Sequence, residues 1–68
     1  MKDRALEFLG KKLGGLDDVI VLSVEEIAKN YFSIEFKEYE DDKYISIYDV
    51  EYKKGRFHMR GESVRTEE

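Results

Sequence analysis

Alternation between tyrosines and other apolar residues along residues 31–52 constrains the fold more than any other feature of this chain. The tyrosines fall on one parity of two consecutive segments, and a second apolar set falls on the other parity: Tyr31, Tyr39, Tyr44, Tyr48 and Tyr52 against Phe32, Ile34, Phe36, Ile45 and Ile47. Successive side chains of a β-strand lie on opposite faces of its sheet. The pattern therefore predicts strands with a tyrosine face and an aliphatic and phenylalanine face.

Three strands follow from this periodicity. We predict strands over residues 31–39, 44–52 and 56–62, with the acidic turn Glu40-Asp41-Asp42-Lys43 between the first two. A loop of two or four residues there pairs Tyr39 with Tyr44 and Phe36 with Ile47, because both lengths keep the same parity. All five tyrosines then share one face of the sheet.

The second hairpin has two alternative registers around Gly55. A two-residue turn at Lys54-Gly55 would put Phe57 and Met59 on the tyrosine face. A three-residue loop that also contains Lys53, with a bulge, shifts the register by one and moves them to the opposite face. We predict the three-residue loop, because it gathers the apolar side chains without hydroxyl groups on one face. The helices would then cover that face.

The first part of the chain carries a helical pattern. Leu6, Leu9, Leu13 and Leu16 recur at intervals of three and four residues, which predicts a helix over residues 3–13 that ends at Gly14-Gly15.

Residues 16–31 leave two alternatives open. One is a single longer helix. The other is a short strand at Val19–Leu22 followed by a helix from Val24 to about Asn30, with Ser23 and Glu26 forming a capping box; we predict this second arrangement. The segment Leu22–Lys29 resembles the opening helix of helix-turn-helix DNA-binding domains. A strand pattern follows it here, where that family has its recognition helix.

The predicted fold is a single α+β domain over residues 1–68. One or two helices pack on a small antiparallel β-meander of three strands, or of four if Val19–Leu22 adds an edge strand. Residues 63–68 contain little apolar surface and are predicted to form a frayed tail. A chain of 68 residues without cysteine has a small core and no disulfide, so a homodimer is one source of further stability.

Composition bears on location and on charged partners. No apolar stretch approaches the roughly 20 residues of a membrane helix, the first residues lack a signal-peptide pattern, and cysteine is absent, so we expect a cytoplasmic protein. The net charge is −4. Residues 31–52 carry seven acidic side chains and two lysines, whereas the last 16 residues carry an excess of basic ones. The acidic middle would repel nucleic-acid phosphates or imitate them.

Neither catalysis nor metal binding has a supporting motif. His58 is the sole histidine, no cysteine is present to pair with it, and the glycines fit no phosphate-binding fingerprint. The acidic run from Glu38 to Asp42 lacks the ligand spacing and central glycine of an EF-hand. We therefore predict that the protein is not an enzyme and that it uses no cofactor and no metal.

The tyrosine face is the candidate binding surface. Tyrosine offers a large contact area and a polar tip at little entropic loss. The residues that we expect to contact a partner are Tyr39, Tyr44, Tyr48, Tyr52, His58, Arg60, Glu35 and Lys37.

The function that we expect is binding to a protein partner. Size and acidity suit a small intracellular regulator or inhibitor of the kind that phages and mobile elements carry, by analogy alone. One alternative is a single-stranded nucleic-acid binder that stacks bases on the tyrosines, with help from Arg56, His58 and Arg60. The other alternative is a structural homodimer whose interface is the tyrosine face.

Overall fold

One helix packs on one face of a four-stranded sheet in a computed structural model, which describes residues 1–67. The elements are α1 (Lys2–Leu13), β1 (Ile20–Ala28), β2 (Tyr31–Lys37), β3 (Tyr44–Lys53) and β4 (Arg56–Thr66). Every strand is antiparallel to its neighbour, and the order in the sheet is β1-β2-β3-β4. The α+β class is confirmed as one helix on a four-stranded meander.

Helix α1 ends where its glycines predict. Gly14 adopts the left-handed conformation with φ 76°, and its N–H donates to the carbonyl of Gly10. The space above Gly10 is filled by Leu16, since a Cβ there would lie 3.5 Å from Cγ of Leu16. The chain therefore folds back over the last turns of the helix before it enters β1.

The core lies between α1 and the sheet. Its fully buried residues are Ala5, Leu9, Phe32, Ile34, Phe36 and Val50. Partly buried apolar residues surround them, among them Phe8, Val24, Tyr48, Phe57 and Met59. We call the side of the sheet that carries α1 the inner face and the opposite side the outer face.

The predicted helix from Val24 to Asn30 is wrong, because this segment belongs to strand β1. Val24 pairs with Ile34 of β2, so its side chain packs on the inner face. The carboxylate of Glu26 caps no helix. It accepts the N–H of Asn30 at 2.9 Å, in the tight turn where Asn30 has φ 61°. Pairing with β2 outweighs the local capping signal. Because Leu22–Lys29 contains no helix, its resemblance to the opening helix of a helix-turn-helix domain is misleading.

The predicted register between β2 and β3 is wrong by one residue. Phe36 pairs with Ser46, not with Ile47, and Ile34 pairs with Tyr48. A slip of one residue exchanges the two faces of a strand. The predicted register would have set Asp49 and Glu51 against the buried residues of β2, and a buried carboxylate without a partner is strongly unfavourable. The observed register keeps both carboxylates on the outer face.

The second hairpin uses the two-residue turn, so the predicted three-residue loop is also wrong. Lys53 pairs with Arg56 across Lys54 and Gly55. Both turn residues have positive φ, 54° and 81°, as a type I′ turn requires. The β-bulge lies further along β4 at Arg60, because Val50 pairs with Met59 whereas Asp49 pairs with Gly61.

Phe57 and Met59 nevertheless lie on the predicted face of the sheet. The two register errors cancel between β2 and β4, so both residues share the inner face with the phenylalanines of β2. Only β3 has its faces exchanged relative to the prediction. Its Tyr48 and Tyr52 therefore lie on the core side, whereas Ile45 and Ile47 lie on the outer face.

Strand β4 runs through Thr66, four residues beyond its predicted end. Ser63 pairs with Ile47 and Thr66 with Tyr44, and the N–H of Glu67 donates to the carbonyl of Lys43 at 2.9 Å. Fraying in solution stays a prediction for this segment, and Glu68 lies outside the described residues. Within residues 1–67, no helix has the length and apolar character to cross a membrane.

Replacing Gly55 with alanine should lower the free energy of unfolding by about 1 kcal/mol. Gly55 has φ 81°, and an added Cβ would meet nothing within 4 Å, so the loss comes from backbone conformation alone. Equilibrium denaturation with urea measures it. Lys54→Asn should act in the opposite direction by a few tenths of a kcal/mol, since asparagine tolerates positive φ better than lysine. Equal stability of Gly55→Ala and the parent would argue against the two-residue turn.

Candidate functional site: an uncovered patch on the inner face

Helix α1 covers one end of the inner face and leaves the other end open. Near its start, Arg4 donates from Nη1 to the hydroxyl of Tyr52 at 3.1 Å, and the ring of Phe8 lies 5.9 Å from that of Phe57. These contacts fix the start of α1 over the end of β3 and the start of β4, while the helix as a whole contacts β1 more than these two strands. The start of β3 and the end of β4 are left outside, where Tyr44 is 46% exposed and Val64 is 64% exposed.

The open end forms a surface that we call the uncovered patch. Its members are the inner-face residues of the paired segments 44–48 and 62–66: Tyr44, Ser46, Tyr48, Glu62, Val64 and Thr66. The β2–β3 loop adjoins it, since residue 44 follows directly after the loop, and Tyr39 in this loop is 58% exposed. Aromatic and aliphatic groups thus lie open to solvent on a pair of hydrogen-bonded strands.

Tyr48 forms the floor of the uncovered patch. Its ring packs edge-on against Phe36, with ring centroids 5.0 Å apart, and the residue is half-buried. Burial raises the pKa of the Tyr48 hydroxyl above its ordinary value, and the charges of Glu62 and Glu38 raise it further. The hydroxyl therefore lies in the negative potential of both carboxylates.

Carboxylates surround the patch. They are Glu38, Glu40, Asp41, Asp42 and Glu62, and none of them takes part in the ion pairs formed within residues 1–67. Asp42 accepts the N–H of Tyr44 at 3.0 Å, which orders the end of the loop. Among the cations of this region, Lys43 lies over the patch, with its Nζ 5.4 Å from the centroid of the Tyr44 ring. The surroundings of the patch are strongly negative as a result.

The eight predicted contact residues do not share one face. Tyr39, Tyr44 and Tyr48 belong to the patch or its adjoining loop. Tyr52 lies at the covered end of the inner face, with its ring 5.1 Å from that of Phe57 and its hydroxyl bound to Arg4. Its role there is to hold α1 on the sheet.

The other four predicted residues lie on the outer face, where their polar groups already have partners. Arg60 donates from Nε to Glu51 at 2.9 Å, and His58 Nε2 lies 3.2 Å from the carbonyl oxygen of Lys53. Glu35 pairs with Arg65, and Lys37 pairs with Glu67. The shared surface predicted for tyrosines, His58 and Arg60 is therefore wrong in its geometry, because β3 is turned over.

Two of these ion pairs shield the apolar part of the outer face. Arg65 is the β4 neighbour of Ile45, yet its guanidinium reaches across β3 to Glu35 on β2 at 2.5 Å. The side chain of Lys37 is only 12% exposed beneath its pair with Glu67. Long cationic side chains cover apolar surface with their stems, so Ile45 is buried to 4% exposure without a second layer of structure.

Sequence reasoning missed Val64 as a patch residue because it ended the last strand at Glu62. A signal was present: Glu62, Val64 and Thr66 alternate with Ser63 and Arg65, and no glycine or proline interrupts this run. Strand β3 is long enough to pair with it.

Metal binding finds no geometric support within residues 1–67. No group of three or more histidine, cysteine, aspartate or glutamate residues in this range lies close enough to hold an ion.

Comparisons with protein-family models, with curated proteins and with solved structures gave no match. Any functional inference therefore rests on the residues and geometry of this chain.

Stability should fall as the pH rises above about 10, and Tyr48 should account for part of the fall. Below the ordinary tyrosine pKa the hydroxyl is protonated in both states, so its full contribution is present. Above it the unfolded chain releases the proton first, because the folded-state pKa is raised. Urea denaturation over this pH range should show a shallower decline for Tyr48→Phe than for Tyr39→Phe. Identical declines in the two variants would refute this assignment.

Replacing Glu67 with glutamine should speed amide hydrogen exchange at residues 63–66 severalfold. Lys37 donates to both carboxylate oxygens of Glu67, at 3.1 and 2.8 Å, and the change removes the charge that holds this end of β4. Because Glu67 is itself half exposed, the pair is worth at most about 1 kcal/mol. Glu40→Gln removes the same charge from the exposed loop and should leave the exchange unchanged. If the parent already exchanges at the unprotected rate, the segment is a frayed tail.

Proposed function

We propose that this protein is a small, non-enzymatic binding protein whose uncovered patch docks onto a basic segment of a protein partner. One observation carries the proposal: the helix leaves Tyr44 and Val64 exposed on the same face that buries the core. A contiguous aromatic and aliphatic surface on paired strands loses less conformational entropy when a partner covers it than an unpaired segment would.

The composition of the patch is typical of the centre of a protein interface. Tyrosine is among the residues that contribute most to binding energy, above all where surrounding polar groups exclude water. Tyr48 supplies a packed floor, Tyr44 and Val64 supply exposed contact area, and the carboxylates supply the polar rim.

The charge of the rim selects the partner. Carboxylates without ion pairs inside the chain attract lysine and arginine, and an arginine can pair with a carboxylate while it stacks on a tyrosine ring. Lys43 already lies over the ring of Tyr44. In the proposed complex, a cation of the partner takes this position.

The same carboxylates disfavour the two competing functions at this surface. They repel the phosphates of a nucleic acid, whose binding depends on neutralising them. A twofold symmetric dimer through the patch would bring identical acidic rims together. A cysteine-free chain suits the reducing cytoplasm, where we propose that the protein regulates or inhibits its partner.

The test is affinity capture from extracts at low salt, followed by calorimetry with the purified partner. The combined change Tyr44→Ser and Val64→Thr should weaken binding at least about tenfold, as expected for central contact residues. Both side chains are exposed, so folding should be retained. Raising the salt concentration should also weaken binding, because the rim and the partner carry opposite charges.

Strand β1 offers a matched control. Leu22 and Ile27 are 46% and 57% exposed, close to the values for Tyr44 and Val64, and they lie on the far edge of the sheet. Leu22→Ser with Ile27→Thr should leave the affinity unchanged. Equal losses from the two pairs, or a partner bound independently of salt, would exclude the patch. A doubled mass in light scattering that the patch variant abolishes would establish the homodimer instead.

A further inference from the structure

A second concave surface lies at the covered end of the inner face, between α1 and the β3–β4 hairpin. This groove has a volume of about 340 Å³, within the range of roughly 300–1,000 Å³ that small-molecule sites occupy. It lies at the opposite end of β3 and β4 from the uncovered patch, so an inference about it is independent of the proposed function.

Aromatic rings form the floor of the groove. Phe57 lies at their centre, with ring centroids 5.9 Å from Phe8, 5.1 Å from Tyr52 and 5.9 Å from Phe32. Phe8 and Phe57 are only partly buried, and both line the opening. Gly55 forms one wall, and nothing lies within 4 Å of the position where its side chain would begin. Phe8 and Phe57 thus offer aromatic surface on which a planar ring can stack.

Cations form the rim of the groove. Arg4, Lys11 and Arg56 line it, with Glu7 as the one acidic lining residue. None of the three cations takes part in an ion pair formed within residues 1–67. The hydroxyl of Tyr52 holds the guanidinium of Arg4 through one N–H, which leaves four donors for a ligand. Three unpaired cations at one groove, in a chain of net charge −4, form a local positive potential.

We propose that this groove binds a small anion that carries a planar ring, with the chemistry of a nucleoside phosphate. The ring stacks on the aromatic floor, and the phosphate accepts charge-assisted hydrogen bonds from Arg4 and Lys11, which both line the groove from α1. Arg56, which follows the β3–β4 turn, adds a third positive charge at the hairpin end of the groove. The ligand should match both parts of the groove. A purely apolar ligand would leave the cations without partners, and a simple anion would leave the aromatic floor exposed.

Nuclear magnetic resonance titration of the full chain with adenosine monophosphate tests the proposal. Amides at residues 55–57 should shift saturably. Adenosine lacks the phosphate and inorganic phosphate lacks the ring. Each should therefore bind at least about tenfold more weakly than the nucleotide, which corresponds to a loss of 1.4 kcal/mol or more. Lys11→Glu should weaken binding of the nucleotide at least about tenfold on the same scale.

Lys29→Glu is the matched control. It makes the same charge change in the β1–β2 turn, which adjoins this end of the sheet through the 2.7 Å hydrogen bond from Tyr52 N–H to the carbonyl of Asn30, but Lys29 does not line the groove. Its affinity should stay within about twofold of the parent, since exposed charges interact weakly. Equal losses of nucleotide affinity in both variants would indicate nonspecific binding to a basic surface and would overturn the proposal. Phosphate binding as tight as the nucleotide, or no saturable shift at all, would overturn the proposal. Shifts induced by a single-stranded oligonucleotide and spread over the outer face would do so as well.

Discussion

The register of β3 is the constraint on which the rest of the structure depends. This strand carries Tyr48 and Val50 on one parity and Asp49 and Glu51 on the other, so only one of its faces can join a core. Turning the carboxylates outward forces the tyrosines toward the helix. The outer face then becomes a polar ladder of ion pairs, and the inner face becomes the side on which α1 packs.

Element lengths explain why exposed apolar surface remains on the inner face. A helix of 12 residues is about 18 Å long, whereas a strand of 10 residues spans about 33 Å. One such helix cannot cover a sheet of that length. The uncovered patch lies beyond the end of α1, and the cationic groove lies along the side of α1. The mismatch in length thus leaves the patch exposed, whereas the groove follows the side of the helix.

Periodicity predicted the elements well and their pairing poorly. The leucine spacing and Gly14 defined α1, and the alternation after Tyr31 defined three strands, because these signals are local. Registers depend on which side chains meet across strands. Asp49 and Glu51 carry that information, whereas the shared parity of the tyrosines indicates the other register. For β1, Ser23 and Glu26 imitated a helix cap, and only the partner strand β2 reveals their strand conformation. As a result, three of the eight predicted contact residues lie at the uncovered patch.

The placement of charged residues also makes the molecule an electric dipole. The loop of residues 38–43 gathers carboxylates at one end of the sheet, whereas Lys53, Lys54 and Arg56 gather at the other. The described chain measures 37 Å along its longest axis, several times the Debye length of about 8 Å at physiological salt. Each end is therefore sensed separately by an approaching charged surface. A negatively charged surface within a Debye length of the basic end therefore attracts that end, and a positively charged surface attracts the acidic end.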